Sequence, residues 1–197
     1  NLLQKDLILL MPVRVTRAKN IEFALRVVAA LKERGCKVKL VLTGPPDPHD
    51  EASMDYYHTL QARRAELNVE HEMRFVFESG PDPEEPYTID EDVVGELFRV
   101  SDVTFMPSHR EGFGMPILEA GLVGMPVVST QIPATEEIAE GERILIAEEE
   151  TPAEVAEHLL AWADQSSVHQ LRRRVRQQYT WGAIFRRQIE MLLREER

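Results

Sequence analysis

Two kinds of apolar pattern alternate along most of the chain. Residues 6–13 form a nearly continuous apolar run, which is typical of a strand covered on both faces in a parallel sheet. Residues 21–34 instead repeat apolar side chains at helical spacing, with Asn20 as the expected N-cap and Gly35 at the end. Because such strands and helices alternate, the pattern predicts an α/β fold with a doubly wound, Rossmann-like parallel sheet.

The same criteria divide the whole chain into elements. We expect a Rossmann-like domain over residues 1–165 and a C-terminal helical extension over residues 166–197 that packs on it. Residues 78–92 are rich in Pro, Asp and Glu and are predicted to form an exposed excursion. The predicted strands are residues 6–13, 37–43, 73–77, 102–106, 127–128 and 143–147. The predicted helices are residues 21–34, 54–67, 93–100, a helix begun by Pro116, a helix from a Thr151–Glu154 capping box to about residue 163, and residues 168–179 and 181–194.

Composition narrows the classes of function. The chain has 34 acidic and 23 basic residues and a net charge of −11, which argues against binding nucleic acid through a general positive field. The single cysteine, Cys36, excludes an internal disulfide and suits a reducing compartment, so we expect a cytoplasmic location. No apolar run approaches the roughly 18 to 20 residues that span a bilayer. The chain starts at Asn1, and we interpret it as part of a longer protein.

The loop after the fourth predicted strand carries the densest candidate chemistry. It contains Glu111, Gly112 and Gly114, and it runs into a helix that begins at Pro116 and carries Glu119. Glycines let backbone N–H groups approach a ligand closely, and the helix N-terminus adds partial positive charge. Carboxylates accept hydrogen bonds from vicinal hydroxyls, as at the ribose of a dinucleotide site. The residues therefore indicate a pocket for a polyol joined to a phosphate.

This stretch also resembles a known family. The sequence Glu-Gly-Phe-Gly-Met-Pro-Ile-Leu-Glu, from Glu111 to Glu119, is similar to the paired-glutamate motif of retaining GT-B glycosyltransferases of glycosyltransferase family 4, the glycosyl transferases group 1. Arg14 and Lys19, five positions apart after the first strand, resemble the Arg and Lys with which that family clamps the donor's diphosphate. The resemblance covers about residues 7–160 and corresponds to the C-terminal, donor-binding half of the GT-B fold.

The resemblance implies a role for each matched residue. Glu119 would bind the ribose of a nucleotide sugar, Glu111 the hydroxyls of the transferred sugar, and Arg14 and Lys19 the leaving diphosphate. A cationic clamp of this kind offsets charge that builds on the leaving group, so no cofactor and no metal ion is expected. Catalytic roles are thus expected for Arg14, Lys19 and Glu111, and donor-binding roles for Gly44, Phe77, Gly112, Phe113, Gly114 and Glu119.

Some residues depart from the family's pattern or leave two interpretations open. Residues 131–136 replace a Gly-Gly pair that the family often has before an acidic residue, so the ligand contacts of that loop are not predicted. Arg17 lies in the same basic loop as Lys19 and is either a surface charge or a ligand. His109 is interpreted as a loop hydrogen-bonding group in preference to a general base.

The resemblance implies transfer of a hexosyl group from a nucleoside-diphosphate sugar to an acceptor hydroxyl. The acceptor would be held mostly by an N-terminal domain, toward which the last predicted helix would pack, and this chain alone would scarcely catalyse. We expect no nucleic-acid partner and no transmembrane segment, while peripheral membrane contact of the full-length protein stays open. One alternative is a non-catalytic domain that senses a nucleotide or a sugar phosphate. Another, a nicotinamide-dependent module, would need a Gly-x-Gly-x-x-Gly fingerprint that the sequence lacks.

Overall fold

The fold is built on one parallel sheet. A computed structural model describes residues 2–82, 87–139, 141 and 143–190. Its strands are β1 (Leu7–Met11), β2 (Val38–Leu42), β3 (Met73–Phe75), β4 (Val103–Met106), β5 (Val127–Thr130) and β6 (Ile144–Ile146). They pair in parallel in the order β3-β2-β1-β4-β5-β6. This order confirms the predicted doubly wound sheet, and its direction reverses between β1 and β4.

Helices connect successive strands. They are α1 (Ile21–Glu33), α2 (Glu51–Glu66), α3 (Glu91–Val100), α4 (Met115–Leu122), α5 (Pro133–Ala139), α6 (Pro152–Gln165), α7 (Ser167–Gln178) and α8 (Trp181–Ile184). The predicted capping box of α6 is confirmed, because the Thr151 hydroxyl accepts from Glu154 N–H while the Glu154 carboxylate accepts from Thr151 N–H. α5 lies in a stretch for which no helix was predicted.

Several predicted elements differ from the structure; α2, predicted over residues 54–67, begins at Glu51. The third strand ends at Phe75, because Val76–Ser79 turns into a 3₁₀-helix. The last predicted helix is α8 followed by a π-helical segment, Phe185–Ile189, and residues 191–194 lie outside the described part of the chain. Within the predicted excursion 78–92, residues 83–86 also lie outside the described residues, and α3 begins earlier than predicted, at Glu91.

Asn20 does not cap α1 with its side chain. Its backbone is left-handed, with a φ of 51°, and its N–H donates to Arg17 O at 3.1 Å. A 3₁₀ turn, Arg17–Lys19, leads directly into α1, so the residue between them must reverse the backbone. Asparagine tolerates this conformation better than most residues, which explains its presence here.

The core lies on both faces of the central strand. Leu7, Leu9 and Met11 of β1 belong to the larger apolar cluster with residues of α1, α2 and α6. Leu10 belongs to a smaller cluster on the opposite face, which includes Phe98 of α3. All five residues of β1 are buried because β1 is central in the sheet and covered on both sides. The continuous apolar run in the sequence is the direct result.

A buried ion pair fixes α7 to the amino ends of β1 and β4. The Arg176 guanidinium donates to both carboxylate oxygens of Asp102, at 2.7 and 2.8 Å. The same carboxylate accepts from Ile8 N–H at 2.9 Å, which ties it to β1. Bidentate geometry with additional hydrogen bonds is what a buried charge pair requires. The division into residues 1–165 and 166–197 stays a prediction.

Candidate functional site

The loops after β1 and β4 meet at the reversal of strand order. β1 and β4 are neighbours, and His109 N–H donates to Ala18 O at 2.8 Å, which joins the two loops by backbone. Both loops leave the carboxyl ends of their strands, where open α/β sheets bind their ligands. Topology thus brings together the two segments that carry Arg14 and Lys19 on one side and Glu111 on the other.

Glu111 is held from two directions. Lys19 Nζ lies 2.6 Å from Glu111 Oε2, and the Ser108 hydroxyl donates to Glu111 Oε1 at 2.6 Å. The side chains of Lys19 and Glu111 are only 18% and 5% exposed, so solvent screens this ion pair less than a surface pair. The carboxylate therefore has one charged partner and one neutral partner, and its position is well determined.

Ser108 connects this carboxylate to the next strand and helix. Its carbonyl accepts a hydrogen bond from the Thr130 hydroxyl at the end of β5. The Thr130 carbonyl in turn accepts from the hydroxyl of Thr135 in α5, at 2.7 Å. The sequence did not single out these two threonines, because a threonine after an apolar run carries no signal for such contacts.

The two glycines of the motif serve different purposes. Gly114 has a φ of 82°, and a Cβ there would lie 3.1 Å from Ile138 Cδ1. A Cβ on Gly112 would meet no atom within 4 Å, so this position is open. Phe113 between them is 68% exposed. Glu111, Gly112 and Phe113 line a cavity of about 360 Å³ whose other wall is formed by residues at the start of α5. Gly114 is therefore required by backbone conformation, and Gly112 leaves space beside the cavity.

Glu119 lies in different surroundings from Glu111. It is in the second turn of α4 and is not among the residues that line the 360 Å³ cavity. Its pKa is raised, first by burial and then by the negative charge of Glu91 at the start of α3. A carboxylate that is partly desolvated near a second acid is poised to accept hydrogen bonds from a neutral hydroxyl donor.

Arg14 and Gly44 lie where the loops after β1 and β2 touch. Gly44 N–H donates to Val13 O at 3.1 Å, and a Cβ on Gly44 would lie 2.8 Å from Arg14 Cα. Only glycine fits this close approach of two backbones. Among the described residues the exposed Arg14 guanidinium has no hydrogen-bond or ion-pair partner. It is therefore available to an anionic ligand at the carboxyl end of β1.

Two other residues from the sequence analysis have partners within the protein. Phe77 is 8% exposed and packs with ring centroids 5.1 Å from Tyr57 and 5.3 Å from Phe75. The Arg17 guanidinium lies 4.7 Å from the centre of the Tyr56 ring and 3.9 Å from the Glu22 carboxylate. The structure brings Lys19 and Glu111 into contact, but it places the Phe77 ring in the core.

Neither a metal centre nor a membrane span is found in the described ranges. No three His, Cys, Asp or Glu side chains are grouped so that they hold a metal ion. No helix there combines the length and apolar character needed to cross a bilayer.

Residues 1–179 match the family described as glycosyl transferases group 1. The chain belongs to this family. Curated members that it resembles include the D-inositol 3-phosphate glycosyltransferase of Corynebacterium urealyticum, which is 29% identical over 154 residues, 77% of this chain and 32% of that protein. An uncharacterized glycosyltransferase of Methanocaldococcus jannaschii is 31% identical over 130 residues, 66% of this chain and 28% of that protein. The chain spans about a third of the length of these relatives.

Solved structures of GT-B glycosyltransferases share the fold. The UDP-forming trehalose-phosphate synthase of Burkholderia xenovorans matches with a TM-score of 0.69 at 15% identity, over 87% of this chain and 40% of that one. The sucrose-phosphate synthase of Thermosynechococcus elongatus matches with a TM-score of 0.67 at 22% identity, over 98% and 46%. Anabaena HepE, solved with UDP and glucose, matches with a TM-score of 0.66 at 18% identity, over 98% and 49%. The predicted family and the predicted GT-B fold are both confirmed.

Proposed function

We propose that this chain is the donor-binding domain of a retaining glycosyltransferase that transfers a hexosyl group from a nucleoside-diphosphate sugar to an acceptor hydroxyl. The observation that supports it most is the contact between Lys19 and Glu111 across the carboxyl ends of β1 and β4. A cation suited to phosphate and a carboxylate suited to hydroxyls are thereby placed next to each other. A sugar phosphate carries both a phosphate and nearby hydroxyls, which these two side chains can bind together.

Lys19 and Arg14 form the phosphate side of the proposed site. Breaking the bond between sugar and phosphate builds negative charge on the leaving diphosphate, and two preorganised cations offset that charge. Arg14 has no partner to give up among the described residues, whereas Lys19 must exchange Glu111 for phosphate. In this proposal the two side chains are sufficient to stabilise the leaving diphosphate, and no metal ion is required.

The carboxylates form the hydroxyl side. Glu111 accepts from hydroxyls of the transferred sugar in the cavity beside Gly112 and Phe113. Glu119, one helix turn further from the loop and close enough to Glu91 to sense its charge, accepts from the ribose. In a nucleotide sugar the diphosphate lies between the ribose and the transferred sugar. With the diphosphate bound between the two carboxylates, one carboxylate binds the ribose and the other binds the sugar. The Phe77 ring contributes to the shape of the base pocket only through packing.

We assign acceptor binding to a part of the full-length protein outside the region that matches the relatives. The relatives are about three times as long as the matched region, and a GT-B enzyme closes a second domain over its donor to exclude water. We therefore expect this chain to bind the donor and to transfer poorly alone. A non-catalytic sensing domain is not favoured, because the relatives are named glycosyltransferases.

A panel of UDP-, GDP- and ADP-sugars tests this proposal by thermal shift and calorimetry. One base class should raise the melting temperature, and Arg14→Ala and Glu119→Ala should each weaken binding of that ligand by about ten-fold or more. Arg63→Met is the control, since Arg63 is exposed on α2 and forms an ion pair with Glu66. If no nucleotide sugar binds and Glu119→Ala behaves like the wild type, the proposal is wrong.

A further inference from the structure

A second cavity, of about 540 Å³, lies between β2, β3 and α3, and none of its lining residues belongs to the loops after β1 and β4. Lys5 precedes β1, Lys39 is the second residue of β2, and His71 precedes β3. These three residues and Arg74 of β3 are among those that line the cavity. None of the lining residues is acidic, although the chain has 34 acidic and 23 basic residues. Local charge here is opposite to that of the whole chain.

The cations of this cavity are not neutralised by carboxylates within it. Lys39 Nζ donates to His71 O at 2.6 Å, a neutral partner. Arg74 Nε donates to the Ser79 hydroxyl at 2.8 Å. The Lys5 ammonium has no hydrogen-bond or ion-pair partner in the part of the chain that the structure describes. Among the described residues, the lining of the cavity therefore brings together cationic side chains that form no ion pair with a carboxylate.

The state of Lys39 is consistent with this charge excess. Burial, together with the positive charges of Lys5, Arg74 and Arg64, lowers its pKa to about 8, and the negative charge of Glu72 opposes this shift. The Glu72 carboxylate is itself bound by Lys32 Nζ at 3.1 Å. An anion bound beside the Lys39 ammonium would favour its charged form and raise this pKa.

The remaining surface of the cavity is largely apolar. Val41 of β2 and Val76, which directly follows β3, are buried, and Val93 and Leu97 of α3 also line the cavity. Val93 is 40% exposed, which places it where the cavity opens to solvent. A ligand that fills this space must combine an anionic group with an apolar body, because a fully hydrated anion would leave the apolar wall uncovered.

We propose that this cavity binds an amphipathic organic anion, with a phosphate or carboxylate head at Lys5, Lys39 and Arg74 and an apolar chain along Val41, Val93 and Leu97. None of the residues that line this cavity lines the cavity beside Glu111, so the proposed site is distinct from it. Its occupation does not depend on whether the chain binds a nucleotide sugar.

Calorimetry on the 197-residue chain tests the ligand class with four probes below their micelle-forming concentrations. Dodecyl phosphate and dodecanoate carry the two head groups, dodecanol lacks the charge, and inorganic phosphate lacks the apolar chain. At least one of the charged amphiphiles should bind about ten-fold more tightly than dodecanol and inorganic phosphate, because both parts of the cavity are used. The tighter of the two amphiphiles identifies the head group. Equal binding of dodecanol, or binding of neither amphiphile, would overturn the proposal.

Two variants test the location. Lys39→Met keeps an apolar stem but removes the charge, and it should weaken amphiphile binding by about ten-fold. Val93→Asp places an acid at the partly exposed mouth and should weaken binding without entering the core. Arg63→Met removes one positive charge at an exposed position of α2. This variant should bind the amphiphile as the wild type does. Circular dichroism and melting check that each variant is folded. Wild-type affinity in both Lys39→Met and Val93→Asp would show that the ligand does not occupy this cavity.

Discussion

Lys19 Nζ lies 2.6 Å from Glu111 Oε2, and this ion pair joins two loops that are 92 residues apart in sequence. Both side chains are mostly buried, so neither is free to move without a replacement partner. Under the proposed function, a ligand with only a phosphate would satisfy Lys19 but leave the Glu111 carboxylate without its cation. A sugar phosphate would satisfy both, so the pair would couple recognition of phosphate to recognition of sugar.

Glu111→Gln should separate these two kinds of recognition. The neutral amide no longer holds Lys19 by charge, so a nucleoside diphosphate should bind on the order of five-fold more tightly than to the wild type. The corresponding nucleotide sugar should lose affinity relative to the diphosphate, because an amide accepts hydrogen bonds from sugar hydroxyls more weakly than a carboxylate. Calorimetry with both ligands measures the difference.

Lys19→Met removes the other member of the ion pair. It should weaken binding of both the nucleoside diphosphate and the nucleotide sugar. If Glu111→Gln instead weakens the nucleoside diphosphate and the nucleotide sugar equally, then the carboxylate supports only the local fold. The coupling between Lys19 and Glu111 would then have no part in ligand choice.

Ser108→Ala should remove one of the two contacts that position the Glu111 carboxylate, while the hydrogen bond to the Ser108 carbonyl stays intact. The lost hydroxyl donates to Glu111 Oε1 at 2.6 Å, and its removal should lower the free energy of unfolding by about 1–2 kcal/mol. Binding of the nucleotide sugar should fall more than binding of the diphosphate. Ser129→Ala is the matched control, because the buried Ser129 hydroxyl has no hydrogen-bond partner in the described structure. Urea unfolding should show no loss for the control; an equal loss in both variants would contradict the prediction.

Gly114→Ala should destabilise the domain, whereas Gly112→Ala should not. Gly114 has a φ of 82° and an adjacent Ile138 methyl, so an alanine there is strained by about 1–2 kcal/mol. Gly112 has open space around it, and alanine fits there. Urea unfolding of the two variants measures the difference. Equal stabilities would mean that the loop adopts another backbone conformation in solution.

Arg176→Met should be among the most destabilising changes away from the site. It leaves the buried Asp102 carboxylate with Ile8 N–H but without its bidentate cation, a change that typically costs about 3–5 kcal/mol. Arg174→Met, on the exposed side of the same helix, should be close to neutral. Thermal and urea unfolding provide the measurement. A small effect of Arg176→Met would show that α7 separates readily from the sheet.

The element pattern was predictable from sequence because it depends on local spacing. β1 is apolar throughout since it is central in the sheet, and the Thr151 capping box is a short-range signal. Element ends were less predictable. Asn20 has the residue type of an N-cap but takes a left-handed conformation, because the preceding 3₁₀ turn needs a reversal at that position.

The contacts of the candidate site could not be predicted from spacing alone. Lys19 meets Glu111 only because β1 and β4 are neighbours, which is a property of strand order. The motif indicated that both residues bind ligand but not that they bind each other. Phe77, for which a donor-binding role was predicted, packs on Tyr57 and Phe75, and the sequence did not indicate these contacts.

Glu119→Gln should make the domain more stable at neutral pH while it weakens binding. Burial and Glu91 raise the pKa of Glu119, so its proton is bound more tightly in the folded state than in the unfolded state. Stability from such a group is present below its unfolded pKa and is lost as the pH rises through its folded pKa. The melting temperature of Glu119→Gln should therefore exceed that of the wild type at pH 7, and the difference should shrink as the pH falls toward 4.

Glu96→Gln is the control for this pH series, since Glu96 is an exposed acid of α3 that pairs with Arg99. It should show no gain at neutral pH. Residues that destabilise the fold in their working ionisation state are characteristic of functional sites, because their removal increases stability at the expense of activity. Glu119→Gln should accordingly lose affinity for the nucleotide sugar under the conditions where it melts higher. If Glu119→Gln gains stability and retains full affinity for the nucleotide sugar, then Glu119 does not belong to the donor site.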